Sequence, residues 1–448
     1  MIRYLLRRLL LFIPTLLLIS VLVFWLGEQT PGDPLLDRMD SEQIYFPPGT
    51  SYAQRTQTLR EVAARYELDR PPFYLSLGSR AYPDTLHRVL RRDHRNARRQ
   101  MIAQYGNGAA VMRYFEKIER ALHQNSAASK LLEQFNISHR PPRIEIYLEQ
   151  LAGEDPILAN TLQQSFAEIR ENPTRARLYQ PKISFHGTDN RYHHWLMGLL
   201  RGDFGNSYES GQTVAARIAP ALYWTLVLSL VAIALSYLLG ILLGVYAARH
   251  RGSRRDRAIG LGLFALYSLP TFWIGTLLLL FLTNPVYGMD WFAGPGLGSA
   301  DGGFWERAWH LFLPVVCLTY PSLAFITRQV RAATAAQLDS KQVLAARARG
   351  LSERTVVWRY AFRNALFPLI TILARVFPAA VAGSLIVEMV FNLPGMGRLT
   401  ITSIQNQDYP TLFAIVLIAA VLTVIGILVA DMLFALADPR VRYNRRDA

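Results

Sequence analysis

QVLAARARGLSERTVVWRYAFRNALFP, residues 342–368, is a basic, alanine-rich stretch set between two long apolar runs. Ala345, Ala346 and Ala348 are strong helix formers. Gly350 suits the left-handed position that ends a helix, and Ser352 followed by Glu353 suits the N-terminus of the next. The stretch reads as a helix, a break and a second helix, a short knuckle on a membrane surface. Small side chains would let such a knuckle enter a partner's groove, with Arg347, Arg349, Arg354 and Arg359 holding the rim by charge. Composition alone equally allows a solvated amphipathic loop, so the surroundings have to decide.

Those surroundings are the runs of a membrane protein: 448 residues, 51% hydrophobic, with long stretches free of charge. The net charge of +15 would admit nucleic acid as a partner until it is located. Residues 1–8 carry +3, 247–257 carry +4, 328–365 carry +6 and 437–448 carry +2, so the rest of the chain, taken together, nets to zero. Each of these segments flanks an apolar run, and all four fall on one side when the runs are threaded in order. This is the positive-inside pattern, with the four segments cytoplasmic. No basic stripe interleaved with aromatics appears, which argues against nucleic acid. The lone Cys317 sits inside an apolar run, leaving no disulfide framework within one chain.

The first apolar run, residues 9–26, follows Arg3, Arg7 and Arg8 and is just long enough to cross a ~30 Å core. A signal peptide is the rival reading, but no small-residue cleavage site precedes Pro31-Gly32-Asp33-Pro34. A polar region then extends to about residue 219, too long for an ordinary connection, and reads as a domain outside the membrane. Its apolar residues recur at helical spacing: Leu59, Val62 and Tyr66; Phe115, Ile118 and Leu122; Ile144, Leu148 and Leu151; Leu158, Leu162, Phe166 and Ile169. Asp155-Pro156 and Pro141-Pro142 are helix starts. No Asn-Gly hairpin alternation and no fixed repeat appears. Five further apolar runs, residues 222–246, 259–282, 311–326, 366–390 and 412–436, make six in total and return the C-terminus to the cytoplasm. The fold class expected is an all-α polytopic membrane protein with six transmembrane helices.

The chain lacks a GxxxxGK[ST] phosphate loop, so any ATP it uses is bound by another subunit. It also lacks a nucleophile elbow and an HExxH pair, which weakens an enzyme reading. His186, His193 and His194 lie close together in sequence but without a carboxylate or Cys at ligand spacing; a surface cluster is the default, and no metal site is assigned. Ionisable residues inside apolar runs carry more information, because a central charge costs at least ~2.5 kcal/mol on insertion. Arg375 lies ~13 Å into its run, where it would face a substrate pathway, snorkel inward, or pair with Asp431 or another subunit. Glu388 and Asp431 sit nearer helix ends, where structural roles are the commoner outcome. Pro368 and Pro378 should bend the fifth helix, as suits one lining a cavity. The pathway-lining candidates are Arg375, Pro378 and Glu388.

These residues resemble the permease subunits of bacterial ABC importers for dipeptides, oligopeptides and nickel. Leu344-Ala345-Ala346 and Gly350 stand where the family's coupling loop has its EAA and glycine positions. Arg347 to Arg354 and Arg363-Asn364-Ala365-Leu366 follow the peptide-importer form. Pro31 to Pro34, Leu68-Asp69-Arg70-Pro71, Leu199 to Gly205 with Ser207, Ser268-Leu269-Pro270, Pro394-Gly395-Met396-Gly397, Asp408-Tyr409-Pro410 and Asp438 to Arg442 are similar too. In this order the matches cover the first 75 residues and those from about 192 onward. The resemblance implies a second, homologous permease, two ATPase subunits carrying the ATP and Mg that this chain does not bind, a periplasmic substrate-binding protein and a peptide substrate, in the bacterial inner membrane amid its lipid. Ala345, Ala346, Arg347, Arg349, Gly350 and Leu351 then become the expected ATPase-coupling residues.

Leu344 departs from the acid of the general EAA form, and Arg375 stands where an uncharged residue is expected. The largest departure separates the Leu68–Pro71 element from the Leu199–Gly205 element, which are nearly adjacent in shorter relatives. The expected organisation is a first transmembrane helix in residues 1–30, an external segment in 31–77, a helical periplasmic insertion in 78–190, an external segment leading to the second helix in 191–221, and a five-helix permease core in 222–448 whose cytoplasmic coupling loop is 328–365. A membrane-anchored scaffold or receptor is the alternative of a different class, though it has no need of the knuckle. Related permeases also serve nickel uptake and peptide export. An ion-driven transporter would want more buried acids and two matching halves with broken helices.

Overall fold

The computed structural model describes residues 2–30, 32–124, 128–299, 301–363, 365–366, 369–370, 373 and 385–437. They form two compact units. One is polar, Phe24–Asp203 with Tyr208–Gly211; the other, apolar unit holds the rest.

Helix α1 (Ile2–Gln29) opens the chain and turns Leu10, Leu11, Leu18 and Leu26 outward, as a lipid-facing helix does. In the polar unit follow α2 (Pro34–Ser41), α3 (Tyr52–Arg65), α4 (Arg92–Tyr105), α5 (Gly108–His123), α6 (Ser129–Asn136), α7 (Pro141–Glu154), α8 (Pro156–Glu171) and α9 (Arg191–Leu200). Local sequence sets their ends. Ser51 and Gln54 form a capping box on α3, and Asp155 accepts from the Leu158 amide with Pro156 in the first turn of α8. The periodic residues expected on α5, α7 and α8 converge in one core, where Phe115, Ile118, Ile144, Leu151, Leu162 and Ile169 are fully buried. Burying each such side chain contributes roughly 1.5–3 kcal/mol. Helices α4 and α6 were not foreseen. The exposed faces of α4 carry Arg99 and Gln100, and its core face is built from Ala97, Met101, Ile102 and the aliphatic part of Arg98.

The chain is not wholly α-helical. Strands β1 (Leu75–Ser79) and β2 (Pro181–Phe185) pair antiparallel, Leu75 opposite Phe185 and Ser79 opposite Pro181. A search for tight hairpins misses such a pair because the two strands are far apart in sequence and no turn joins them. Lys182 and Ser184 both donate to Asp84, at 2.6 and 2.8 Å, and tie the sheet to the segment after β1.

The apolar unit contains α10 (Val214–Arg249), α11 (Arg254–Tyr267), α12 (Thr271–Leu282), α13 (Phe304–Leu338), α14 (Lys341–Ala348), α15 (Glu353–Thr355) leading into a π-helical stretch (Val356–Phe362), α16 (Leu385–Val390), α17 (Met396–Gln405) and α18 (Tyr409–Ala437). The run 259–282, read from sequence as one span, is two helices bent by 91° at the break between Tyr267 and Thr271. Pro270 explains the break: it lacks an N–H and pushes Leu269 out of helical geometry. Tyr320 Oη donates to the freed Leu269 carbonyl at 2.8 Å. Among the described residues four helices are long and apolar enough to cross a membrane, within α1, α10, α13 and α18, and the bent pair makes five if counted as one span. Most of the run 366–390 lies outside the described residues.

Helices α10 and α13 form the spine of this unit. Ser236 meets Thr319, Gly240 meets Ile326 and Gly244 meets Val330, so the contacts advance along both helices together and the pair is parallel. A Cβ placed on Gly244 would stand 2.6 Å from Val330 Cβ and 2.8 Å from Thr327 O. The Gly-x-x-x-Gly spacing removes side chains from one face, so that two backbones approach where lipid offers no hydrophobic driving force.

Candidate functional site

The knuckle at residues 341–362 forms as its sequence suggests, with one reassignment. Gly350 closes α14 in the left-handed region at φ +72°, its N–H donating to Arg347 O at 2.9 Å. Open space surrounds its Cα hydrogens, so the conformation, not crowding, calls for glycine. Ser352 Oγ accepts from the Thr355 amide and starts α15. Across the turn, Arg347 Nε donates to Glu353 Oε1 at 2.9 Å and clasps the two halves together. Val343 and Ala346 turn inward and pack with Val356, Ala361, Leu338 and Tyr360. The outward face presents Leu344, Ala345, Arg347, Ala348, Arg349, Gly350 and Leu351. Ala346, expected among the coupling residues, is 3% exposed and anchors the knuckle from beneath; Ala345 and Leu344 hold the outer surface instead. Helical geometry makes the exchange inevitable, because neighbours one residue apart lie about 100° around the axis.

The second half continues as a π-helical stretch rather than an α-helix, a geometry associated with functional sites. Val357 on this stretch joins Ile326 and Val330 of α13 and Val245 of α10 in one buried cluster. The knuckle is therefore packed directly against the α10–α13 spine. Beside it, Arg331 grips Asp256 with Nε–Oδ1 at 2.5 Å and Nη2–Oδ2 at 2.7 Å, and Asp256 Oδ2 also accepts from the Gly252 amide at 3.0 Å. This bidentate brace ties the start of α11 to α13.

Of the pathway-lining candidates, Arg375 and Pro378 lie outside the described residues. Glu388, whose place near a helix end favoured a structural role, sits in a buried network. It is 1% exposed, Thr225 Oγ1 donates to its Oε1 at 2.9 Å, and the Arg398 amide donates to its Oε2 at 3.1 Å. Thr225 Oγ1 in turn accepts from the Met396 amide at 2.8 Å. The carboxylate thus caps the N-terminus of α17, where the helix dipole favours negative charge, and staples α16 and α17 to α10. Gly395 and Gly397 make room for it.

A second staple involves residues the sequence marked only as motif members. Asp408, fully buried at the start of α18, accepts from Ser207 Oγ at 2.6 Å, Thr411 Oγ1 at 2.6 Å and Arg217 Nη1 at 2.7 Å. Two short motifs distant in sequence meet in this knot. Phe204 packs beside it against the cluster of Val214, Ile218, Met396 and Ala414. Neither Arg217 nor Asp256 was singled out by sequence, since an ion pair leaves no periodic trace. The Gly240/Gly244 spacing, by contrast, is a signal that the sequence does carry.

The three histidines each have separate partners: His186 Nε2 faces Ser76 Oγ, His193 Nδ1 faces Tyr74 Oη, and His194 lies between Arg70 and Glu67. Among the described residues no group of three or more His, Cys, Asp or Glu is placed to hold a metal ion.

Residues 240–443, which include Gly240, Gly244 and all of α13, the knuckle, and Glu388 and Asp408 of the two staples, match the family described as binding-protein-dependent transport system inner membrane component. The chain is 36% identical to the oligopeptide transport system permease protein AppB of Bacillus subtilis over 256 residues, 56% of this chain and 80% of that protein. It is 31% identical to the dipeptide transport system permease protein DppB of Escherichia coli over 313 residues, 65% of this chain and 91% of that protein. The chain belongs to this permease family. The permease is also 32% identical to the metal-staphylopine import system permease protein CntB of Staphylococcus aureus, over 57% of its own length and 78% of that protein's. The relatives are permease subunits of transport systems, and no enzyme activity is indicated by them.

Proposed function

We propose that this permease is one of two similar membrane subunits of an ATP-driven importer for di- or oligopeptides. Two ATPase subunits, holding the ATP and Mg, dock on the knuckle, and a substrate-binding protein delivers cargo from the other side. The single observation that carries this reading is the outward face of the knuckle: small and apolar side chains at Leu344, Ala345, Ala348 and Leu351 ringed by Arg347 and Arg349, on a support packed into the spine. Closure of the ATPases pushes this support, and the parallel α10–α13 pair transmits the push as a rigid-body rocking that alternates access. The names of the relatives support peptide as cargo.

The positive-inside charge supports cytoplasmic termini and a cytoplasmic knuckle, with the polar unit in the periplasm. The polar unit then serves the binding protein. Its two-stranded sheet supports this, since Leu75, Leu77, Ile183 and Phe185 share one face and all are exposed; such apolar patches mark docking surfaces. Affinity purification of the permease from its native membranes tests the first reading: ATPase subunits should co-purify, and their absence from the Ala345→Trp variant should accompany lost peptide uptake. Full uptake by that variant would sink the coupling role. A second cargo, a metal chelate, is favoured by the likeness to the metal-staphylopine permease; uptake assays with peptide against nickel-chelate separate the two.

A further inference from the structure

Within the polar unit, α3, the strap before α4, and helices α4, α5 and α6 line a half-open cavity of about 430 Å³. That lies within the range of small-molecule sites, roughly 300–1,000 Å³. Five arginines line it: Arg55, Arg60, Arg88, Arg91 and Arg98. Three acids on its walls, Glu116, Glu119 and Glu133, are already engaged by Arg120 at 2.8 Å, Arg98 at 2.6 Å and Arg55 at 3.8 Å. Arg60 and Arg88 have no carboxylate partner among the described residues. The unused capacity is thus one of donors.

Arg98 is 2% exposed and is fixed in place by donating to His94 O at 3.0 Å, Asn136 Oδ1 at 3.2 Å and Glu119 Oε1 at 2.6 Å. Arg60 and Arg88 are exposed, so their donors are open to an acceptor-bearing occupant. Phe46, Leu59 and Met112 supply apolar wall between the arginines.

We propose that this cavity binds a small carboxylate-bearing molecule, a short peptide held by its C-terminal carboxylate against the arginines with its side chain on the apolar wall. Recognition of a carboxylate follows from the cavity; that its bearer is a peptide rests on the transport reading above. A forked guanidinium suits a planar carboxylate by paired hydrogen bonds. The polar unit would then hold cargo, or sample it, apart from the transmembrane pathway.

The test uses the full-length permease in lipid nanodiscs, titrated calorimetrically with trialanine and with trialanine amide. The acid should bind saturably, and the amide should bind about tenfold more weakly or worse, the loss of one charge-assisted contact of ~1.4 kcal/mol. Arg60→Ala/Arg88→Ala, which removes two exposed side chains and should leave the melting temperature unchanged, should weaken the acid by a similar factor. Equal binding of acid and amide, undiminished binding in the double variant, or no binding of either probe overturns the proposal. Ala345→Trp should bind trialanine normally; failure of ATPase docking and failure of this cavity are thereby told apart.

Discussion

Asp408 Oδ2 accepts a hydrogen bond from Arg217 Nη1 at 2.7 Å, joining the first turns of α10 and α18, helices that begin 195 residues apart, around a carboxylate with no solvent exposure. The pair makes these helix ends one rigid corner. Removing the cation alone leaves a buried charge uncompensated. Arg217→Met should cost about 3–5 kcal/mol, read as a lower melting temperature in detergent, while Asp408→Asn should cost less because its amide still accepts from Ser207 and Thr411.

Gly244 sets the closeness of the spine. Gly244→Val drives a branched side chain into Val330 and Thr327 O, and should cost about 1–3 kcal/mol or more. Val330→Ala in the same chain should recover part of the loss. A variant as stable and as active in uptake as the parent would show that the α10–α13 contact is loose.

On the knuckle, position decides outcome. Ala345→Trp is expected to leave the melting temperature unchanged and abolish ATPase co-purification. Ala346→Trp overpacks the interior beneath and should lower the melting temperature by the equivalent of about 1–3 kcal/mol. The Arg347–Glu353 clasp is exposed, so breaking it by Glu353→Gln should change stability by about 1 kcal/mol or less. A stable Ala346→Trp beside an unstable Ala345→Trp would invert the two faces assigned to α14.

In the polar unit, burial pushes the His94 imidazole down to about 4, with Arg91 and Arg98 adding to the effect and Asp93 opposing it. The unfolded chain takes up this proton near pH 6.5, the folded one only near 4. The contribution to stability is therefore full above pH ~6.5, declines by up to about 3 kcal/mol as pH falls toward 4, and is flat below. Hydrogen-exchange protection factors of α4 and α5 in the full-length permease should fall as pH drops across this window, and His94→Gln should flatten the dependence.

Much of this was legible in the sequence, for definable reasons. Periodicity located α5, α7 and α8 because their core faces are aliphatic, and Asp155-Pro156 fixed a boundary because capping is local chemistry. Gly350 and Ser352 marked the knuckle for the same reason. Pairings distant in sequence were not legible. Strand β2 alternates no buried face, α4 hides its core face among arginines, and the partners of Asp256 and Asp408 are chosen by tertiary packing. The side of α14 that Ala346 faces was not legible, because a family motif names positions without saying which way each faces.

The β1–β2 pair has one more effect. Chain that leaves β1 at Ser79 re-enters the sheet at Pro181, directly opposite, so both ends of residues 80–180 are fixed side by side. The helices between them are also bound to α3, through Tyr52 and the Arg55–Glu133 pair. Length can therefore change cheaply only in the loops that join those helices, where even a doubling costs about 0.6 kcal/mol.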